Sequence, residues 1–234
     1  MTRARHLSLI RPEDTDLARA GERSDVVREV ATILASTTSF RGALPGVLEI
    51  LCQELGAGTA HAWVHAASPG GTGTDPAWSH LWHPDPPAAR FDRLREVLFE
   101  IDGRSDGADG SSEADRGIVE PGRSPAAGDA LGIGDVTRID DVALRRGGEW
   151  EEGLTEAGVR GVVALPVLAG ERPVAVLELF FDLPLDEAAM PDGEALPLVR
   201  SELERRAAYD RMRLAVQRSA RLWRSLGDRK APEA

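Results

Sequence analysis

The stretch from Gly161 to Asp182, GVVALPVLAGERPVAVLELFFD, constrains the fold of this chain more than any other part of it. Two apolar runs, 162–168 and 173–181, flank the short sequence AGER, a pattern typical of two β-strands joined by a tight turn. Side chains alternate between the two faces of a strand, and both faces of the second run are mainly apolar. Because a strand with one face in water is polar at every second position, we expect this hairpin to be covered on both faces and central in a sheet.

Glu178 is the one charged residue of the second run, where it shares a strand face with Val174, Val176 and Phe180. A carboxyl group buried among apolar neighbours needs a partner, a raised pKa or a ligand. Two interpretations follow: Glu178 anchors a ligand, or it forms a salt bridge with a nearby arginine.

Helical spacing of apolar residues predicts two helices before the first strands. The first is expected from an N-cap at Ser24 to residue 36, and the second over 44–55 with Pro45 in its first turn. Cys52, on the apolar face of the second helix, is interpreted as a small buried side chain. Residues 1–23 lack periodicity, which predicts a flexible N-terminal tail.

The alternating segments 59–65 and 77–83 predict a second hairpin around a glycine-rich turn. Four of the five histidines lie here: His61, His65, His80 and His83. Histidines that meet across a hairpin are compatible with a metal or haem site, but no cysteine or carboxylate lies at matching spacing. We therefore expect these histidines to occupy polar positions at a sheet edge.

The second half of the chain combines regular patterns with a long polar segment. A helix is expected at 88–100, a short strand or extended segment at 135–142, a short helix at 149–157 and a long helix from 194 to about 226. Residues 101–135 hold eight glycines and eight acidic residues, a composition that predicts mobility. The expected organisation is a tail (1–23), a domain (24–192) and an exit helix with a short C-terminal tail (193–234).

The exit helix extends further than one small domain needs to cover its sheet. We expect its protruding part to pair with a second copy of the chain. The predicted dimer contacts are Val199, Leu203, Met212 and Val216. Residues 199–230 carry ten basic and four acidic side chains, so a separate output protein is a second candidate partner of this helix.

Charge and composition exclude several classes of protein. The formal net charge of −11 disfavours nucleic-acid binding by the body of the protein. No apolar run approaches the roughly 20 residues that cross a membrane, and the N-terminus lacks the features of a secretory signal. A single cysteine excludes an internal disulfide, which favours a reducing cytoplasm.

Several segments, taken in order, resemble the GAF domain, a sensory module related to PAS domains. They are LEILCQELG at 48–56, Ala62-Trp63, IDDV at 139–142, GVRGVVALPV at 158–167 and VAVLELF at 174–180. The resemblance covers about residues 24–218. It implies an α+β fold with a central antiparallel sheet of five or six strands and helices from both chain ends on one face. A variable lid, here residues 84–157, then covers a small-molecule pocket on the other face.

The resemblance also implies residue requirements for the chemistries of the family. Members that reduce free methionine sulfoxide use several cysteines, whereas this chain has one. Bilin-binding members use a lid cysteine and haem-binding members a lid histidine, and residues 84–157 contain neither residue type. Cyclic-nucleotide-binding members often carry a motif with asparagine, which is absent from the chain. The cofactor therefore stays open, and bilin, haem and metal are not supported.

A ligand pocket should combine aromatic walls with a few polar anchors. The candidate ligand-binding residues are Trp82, Arg138, Trp150 and Glu178. Asp140 and Asp141 point to opposite faces of an extended segment, so they make a poor acid–base pair, and Asp141 is interpreted as a capping residue.

The leading hypothesis is therefore a non-enzymatic regulatory protein that binds a small molecule or a partner and signals through helix packing in a homodimer. One alternative is a protein-interaction module with a filled pocket. Another is a small-molecule enzyme with unassigned acidic or histidine residues, which loss of turnover in Glu178→Ala or His83→Ala would support.

Overall fold

The computed structural model describes residues 25–66, 77–83, 93–94, 97–98, 124–145, 148–185 and 195–228. The helices are α1 (25–36), α2 (Phe40–Leu55), α3 (Pro125–Ile133), α4 (Glu149–Glu156) and α5 (Ala195–Asp228), with a 3-10 turn at Val142–Leu144. The strands are β1 (Thr59–Ala66), β2 (Ala77–His83), β3 (Thr137–Ile139), β4 (Gly161–Ala169) and β5 (Arg172–Phe181). Residues 93–94 and 97–98 are also helical. The predicted tail, the N-cap at Ser24 and most of the predicted helix 88–100 lie outside the described residues.

Five antiparallel strands form one sheet in the order β2-β1-β5-β4-β3. Strand β5 pairs with β1 on one side and with β4 on the other, so the predicted hairpin is central. Its tip is the two-residue turn Gly170-Glu171, where Gly170 has a φ of +70° that glycine adopts at little cost. The predicted α+β class is confirmed.

Helices from the two ends of the described chain cover one face of the sheet, which we call the helix face. Its core joins α1, α2 and the first half of α5 to alternate residues of β1, β4 and β5, among them Leu165 and Leu177. The opposite face, which we call the lid face, is covered by α3, α4 and helical residues that include Leu94. Val176 and Phe180 enter this second core. Each large apolar side chain buried in this way contributes about 1.5–3 kcal/mol to stability.

Val174 departs from the predicted face of β5. Val167 pairs with Ala175, and Leu168 pairs with Pro173, so Val174 is an extra residue at a β-bulge. Because the bulge shifts the alternation, the Val174 side chain packs against the helix-face core and not beside Val176.

Helix α2 begins four residues before its predicted start. Ser39 caps it, and the Ser39 Oγ accepts a hydrogen bond from the Gly42 N–H at 3.1 Å. Pro45 therefore lies inside the helix and not in its first turn. Proline removes one ladder hydrogen bond there, and the complete burial of Leu44 and Val47 outweighs that loss.

Helix α3 lies in a segment that was predicted to be mobile. Ser124 caps it, Pro125 occupies its first turn, and Gly134 ends it in the left-handed conformation. Ala126, Ala127 and Ala130 are fully buried on the lid face. The prediction is wrong for this part of the segment, because short alanine side chains bury a helix without a strong apolar stripe. Residues 101–123 lie outside the described ranges.

The apolar stripe of α5 is buried up to about Asp210 and exposed beyond it. Before it, the stripe of Leu196, Val199, Leu203 and Ala207 is buried on the helix face. After it, Met212 is 60% exposed and Val216 63% exposed. Val199 and Leu203 are buried against the sheet and cannot contact a second chain. These two predicted dimer contacts are therefore wrong. None of the described helices is long and apolar enough to cross a membrane.

Candidate ligand site on the lid face

The Glu178 carboxyl group lies at the middle of the lid face. Glu178 is directly opposite His61 on β1 and Ala164 on β4, and its side chain is fully buried. The sheet register therefore places a carboxyl group in an apolar layer on the central strand, where it needs hydrogen-bond partners.

Three side chains supply those partners. The Trp63 Nε1–H donates to Glu178 Oε2 at 2.7 Å, and the His61 Nδ1 lies 3.3 Å from the same oxygen. The Ser124 Oγ–H donates to the other carboxyl oxygen, Oε1. All four side chains are fully buried. The network therefore links β1, β5 and the start of α3.

Ser124 has two roles because of its place at the N-cap of α3. Its Oγ donates to Glu178 and also accepts a hydrogen bond from the Ala127 N–H at 3.3 Å. Pro125 needs no N–H partner in the first turn, and the buried Ala126 lets the helix approach the sheet closely. The first turn of this lid helix is thus attached directly to the central strand.

Burial disfavours the charged form of His61 in this network. Burial lowers the pKa of His61 below its ordinary value, and the hydrogen bond and charge of Glu178 oppose that shift. The ring packs edge-on against Trp63 and lies 4.4 Å, centroid to centroid, from Trp82. Trp82 in turn stacks on Phe180. The prediction that His61 occupies a polar edge position is therefore wrong, because β1 is an inner strand.

The structure places three of the four predicted ligand-binding residues on the lid face. Trp82, Trp150 and Glu178 all face the lid side of the sheet. Arg138 is opposite Val163, a helix-face residue, and it pairs with Asp140 at 3.0 Å on the edge strand β3. Arg138 therefore lies on the other face from Glu178.

Arginine does not bond Glu178 anywhere in the described part of the chain, so the salt-bridge interpretation is not supported there. The residues that sequence reasoning missed are His61, Trp63 and Ser124. The sequence Ser-Pro-Ala-Ala at 124–127 is a helix-start signal that would have located Ser124. No comparable signal marks His61 and Trp63, because their partner is set by strand register.

Trp150 adds a second polar group to this face. It is 4% exposed, and its Nε1–H has no hydrogen-bond partner among the described residues. A buried indole N–H normally finds a partner, so this donor is available to an acceptor brought by a ligand.

Cys52 and Asp141 have the structural roles expected for them, a small buried side chain and a capping residue. Cys52 is buried, and burial raises the pKa of its thiol to about 12, which makes it a poor nucleophile. Asp141 caps the 3-10 turn by accepting from the Ala143 N–H, and its pairing with Arg160 lowers the pKa of its carboxyl group. The described residues contain no group of three or more histidine, cysteine or acidic side chains that could hold a metal ion.

No protein-family model matches the sequence, and no curated protein matches it either. The solved structures that are similar over most of their length include the following three. The free methionine-R-sulfoxide reductase of Neisseria meningitidis, in complex with its substrate, is 16% identical with a TM-score of 0.51, covering 90% of this chain and 99% of that one. An N-acylhomoserine-lactone-dependent LuxR-family transcription factor of Burkholderia cenocepacia is 13% identical with a TM-score of 0.55, covering 82% and 98%. An fRMsr of Staphylococcus aureus, in complex with its substrate, is 12% identical with a TM-score of 0.50, covering 80% and 95%.

The chain shares an α+β fold with these structures, built around a central five-stranded antiparallel sheet. Its central antiparallel sheet, with helices from both ends of the described chain on one face and short helices on the other, is the architecture that the resemblance to the GAF domain implied. At identities of 12–16%, the similarity to the three solved structures concerns the fold alone.

The comparison with these solved structures corrects the prediction that the chain is not an enzyme. The structure from Neisseria meningitidis is a reductase by name, so proteins that share this fold include enzymes. That prediction is wrong, because missing motifs of other enzyme families do not exclude catalysis on this fold.

Proposed function

We propose that this GAF-like protein is a regulatory module that binds a small polar molecule on its lid face and passes the signal to α5. The observation that carries the proposal is the buried carboxyl group of Glu178 on β5. It contacts side chains of β1 and of the first turn of α3. A carboxyl group has about four acceptor positions, and three are occupied here. A ligand with an N–H group would take the remaining position or displace the Ser124 hydroxyl.

The second polar feature narrows the ligand class. Glu178 offers an acceptor, and Trp150 offers a buried N–H donor on the same face. Trp82 and Phe180 form an aromatic wall beside the carboxyl group. We therefore propose a ligand that presents both an N–H donor and an oxygen acceptor, such as an amino acid, an amide or a nucleobase.

The route to α5 runs through the sheet. Helix α5 packs on β4, and β4 pairs with β5 at Ala164 opposite Glu178. At the hairpin tip, the Arg211 Nη1–H donates to the Ala169 carbonyl oxygen at 2.6 Å. A change in the position of β5 on ligand binding would therefore reach the half of α5 that projects beyond the sheet.

We further propose that this outer half of α5 pairs with a second copy of the chain. Tyr209, Met212, Val216 and Trp223 are all more than half exposed and recur at spacings of three, four and seven residues. Such spacing forms the apolar seam of a coiled coil. A regulatory module that pairs in this way can convert a shift in its sheet into a change of helix packing.

The ligand proposal is tested by native mass spectrometry and a thermal-shift panel of amino acids, amides and nucleobases. We expect wild-type protein to retain or be stabilised by one class, and Glu178→Gln to lose that effect because the amide replaces one of the two acceptor oxygens with an N–H donor. Trp150→Phe should weaken the effect without abolishing it. Glu49→Gln, an exposed change of the same chemistry on α2, is the control. Equal ligand binding by Glu178→Gln and wild type would refute the proposal.

A second candidate function is a protein-interaction module whose lid face is filled by its own side chains. The complete burial of His61, Trp63, Ser124 and Glu178 favours it. In that case Glu178→Gln would lower thermal stability, and no compound of the panel would raise it in either protein.

A further inference from the structure

A groove of about 560 Å³ lies apart from the lid-face site, where the outer half of α5 passes the ends of the strands. Trp78 of β2 and Val174 at the bulge of β5 contribute apolar surface on the strand side. Leu214 contributes apolar surface on the helix side and is 43% exposed. The strand bulge and the protruding helix together form this groove.

The charge in the groove has one sign. Arg172 of β5 and Arg211 and Arg218 of α5 line it, and the described lining contains no carboxyl group. Arg211 is fixed in place by its hydrogen bond to the Ala169 carbonyl oxygen. No described carboxylate pairs with Arg172 or Arg218. Three guanidinium groups beside an aromatic and aliphatic surface therefore lack a counter-charge within the described groove.

We propose that this groove docks a short acidic segment of a partner protein. Carboxylates of the segment would pair with Arg172, Arg211 and Arg218, since guanidinium binds carboxylate with two parallel hydrogen bonds. Apolar side chains between them would cover Trp78 and Leu214. Aromatic and arginine side chains of this kind are the residue types that contribute most to protein interfaces.

A second copy of the chain is a poorer occupant of this groove. A symmetric contact brings each surface against its own copy, so it would place these arginines against the same arginines. The stripe proposed for self-association is also on another side of the helix. Leu214 and Arg218 each lie two positions beyond Met212 and Val216, which is roughly 160° around the helix axis. One helix can therefore pair with a second copy and bind an acidic segment at once.

The proposal is tested with a random peptide library displayed on phage and selected on the full-length protein. We expect enriched peptides to combine Asp or Glu with aromatic or branched apolar residues. Synthetic versions, measured by fluorescence anisotropy, should lose affinity between about 0.1 M and about 1 M NaCl because screening weakens exposed ion pairs. Glu178→Gln should bind these peptides as wild type does, which separates this site from the lid-face site.

Charge reversal in the groove provides the decisive variant. Arg172→Glu with Arg218→Glu should weaken peptide binding roughly tenfold or more, because two attractive pairs become repulsive. Arg221→Glu with Arg224→Glu makes the same charge change on exposed positions of α5 outside the groove, and its loss should be far smaller. Arg218→Glu alone, on the projecting half of α5, serves if the double variant does not fold.

Several results would overturn the proposal. Enrichment of neutral or basic peptides, or equal losses in the two charge-reversal variants, would show that the groove does not select acidic segments. Peptide binding that appears only after residues 67–76 are replaced by a Gly-Ser linker would assign the groove to the chain's own loop. A loss of self-association in the groove variant, with peptide affinity unchanged, would assign it to a second copy.

Discussion

Glu178 is held by neutral donors, whereas most buried carboxyl groups are paired with a cation. The Trp63 indole, the Ser124 hydroxyl and the His61 ring each contribute one contact. A polar group buried without partners costs about 2–7 kcal/mol, so these contacts are what makes a carboxyl group tolerable on the central strand.

Ser124→Ala should destabilise the protein by about 2–3 kcal/mol, because it removes both the N-cap of α3 and one donor to Glu178. Ser39→Ala is the matched control, since Ser39 caps α2 and has no buried carboxyl partner in the structure. The control should cost about 1 kcal/mol. Urea unfolding of both variants measures the difference. Equal losses would show that the Glu178 contact contributes nothing to stability.

Acidification should destabilise the fold through His61. Because burial lowers the pKa of His61 in the folded state, the unfolded chain binds the proton first as the pH falls below about 6.5. Stability should therefore decrease with falling pH in that range, by at most about 1.4 kcal/mol per pH unit from this one group. His61→Gln should reduce the slope. Between pH 7.5 and pH 8.5 the free energy of unfolding of the two proteins should change with pH in the same way. If His61→Gln has the same slope as wild type below about pH 6.5, the prediction is wrong.

Two polar residues of α5, Arg206 and Asp210, bind the backbone between α1 and α2, and we call this pair the polar clamp. Arg206 donates to the carbonyl oxygens of Leu34 and Thr37, both at 2.8 Å, which lie at the end of α1 and just after it. Asp210 accepts from the Phe40 N–H at the start of α2. The clamp binds the backbone of the α1–α2 junction at the point where α5 leaves the domain. The orientation of the projecting half of α5 is therefore set by its first half.

Asp210→Ala should destabilise the protein by about 2–4 kcal/mol, because the buried Phe40 N–H loses its acceptor and Arg206 loses its carboxylate. Glu202→Ala is the control on the same helix. It removes the exposed pair with Arg205 and should change stability by less than about 1 kcal/mol. Thermal unfolding compares them, and a small effect of Asp210→Ala would mean that α5 is held by apolar packing alone.

The central hairpin and the helical spans follow from the sequence because periodicity reports which side chains are buried. The alternation in β5 predicted that Leu177 and Phe180 face opposite cores, and the structure confirms it. The shift at Val174 was not predictable, since a bulge depends on how β4 and β5 pair. The same limit applies to the site: Glu178 was identified from its apolar context, but its partners His61 and Ser124 are brought to it by tertiary packing.

At the scale of the whole molecule, charge and function are spatially separated. The chain carries a net charge of −11, whereas residues 199–230 have a balance of +6. This basic segment includes the projecting half of α5, where large apolar side chains are exposed. The lid-face site, by contrast, is buried in the domain. The proposed small-molecule site and the proposed contacts with other chains therefore lie in different parts of the protein.

Met212→Glu with Val216→Glu should abolish self-association, because four charges would face each other in a paired helix seam. Light scattering coupled to size-exclusion chromatography measures the mass. Ile133→Glu with Leu144→Glu makes the same change at two exposed apolar positions on the lid side and should leave the mass unchanged. A wild-type mass equal to one chain would contradict the proposed pairing outright.

The strand order also determines when the parts of this protein meet as it folds. Hairpins β1–β2 and β4–β5 each join neighbours in sequence, whereas pairing of β1 with β5 brings His61 and Glu178 together across 117 residues. Long-range closure costs more chain entropy and slows folding, so we expect the two hairpins to form early and their lateral joining to come last. Until that step, each hairpin exposes a sheet edge on which another chain can aggregate. Completion of the buried carboxyl network and protection from aggregation thus occur in the same event.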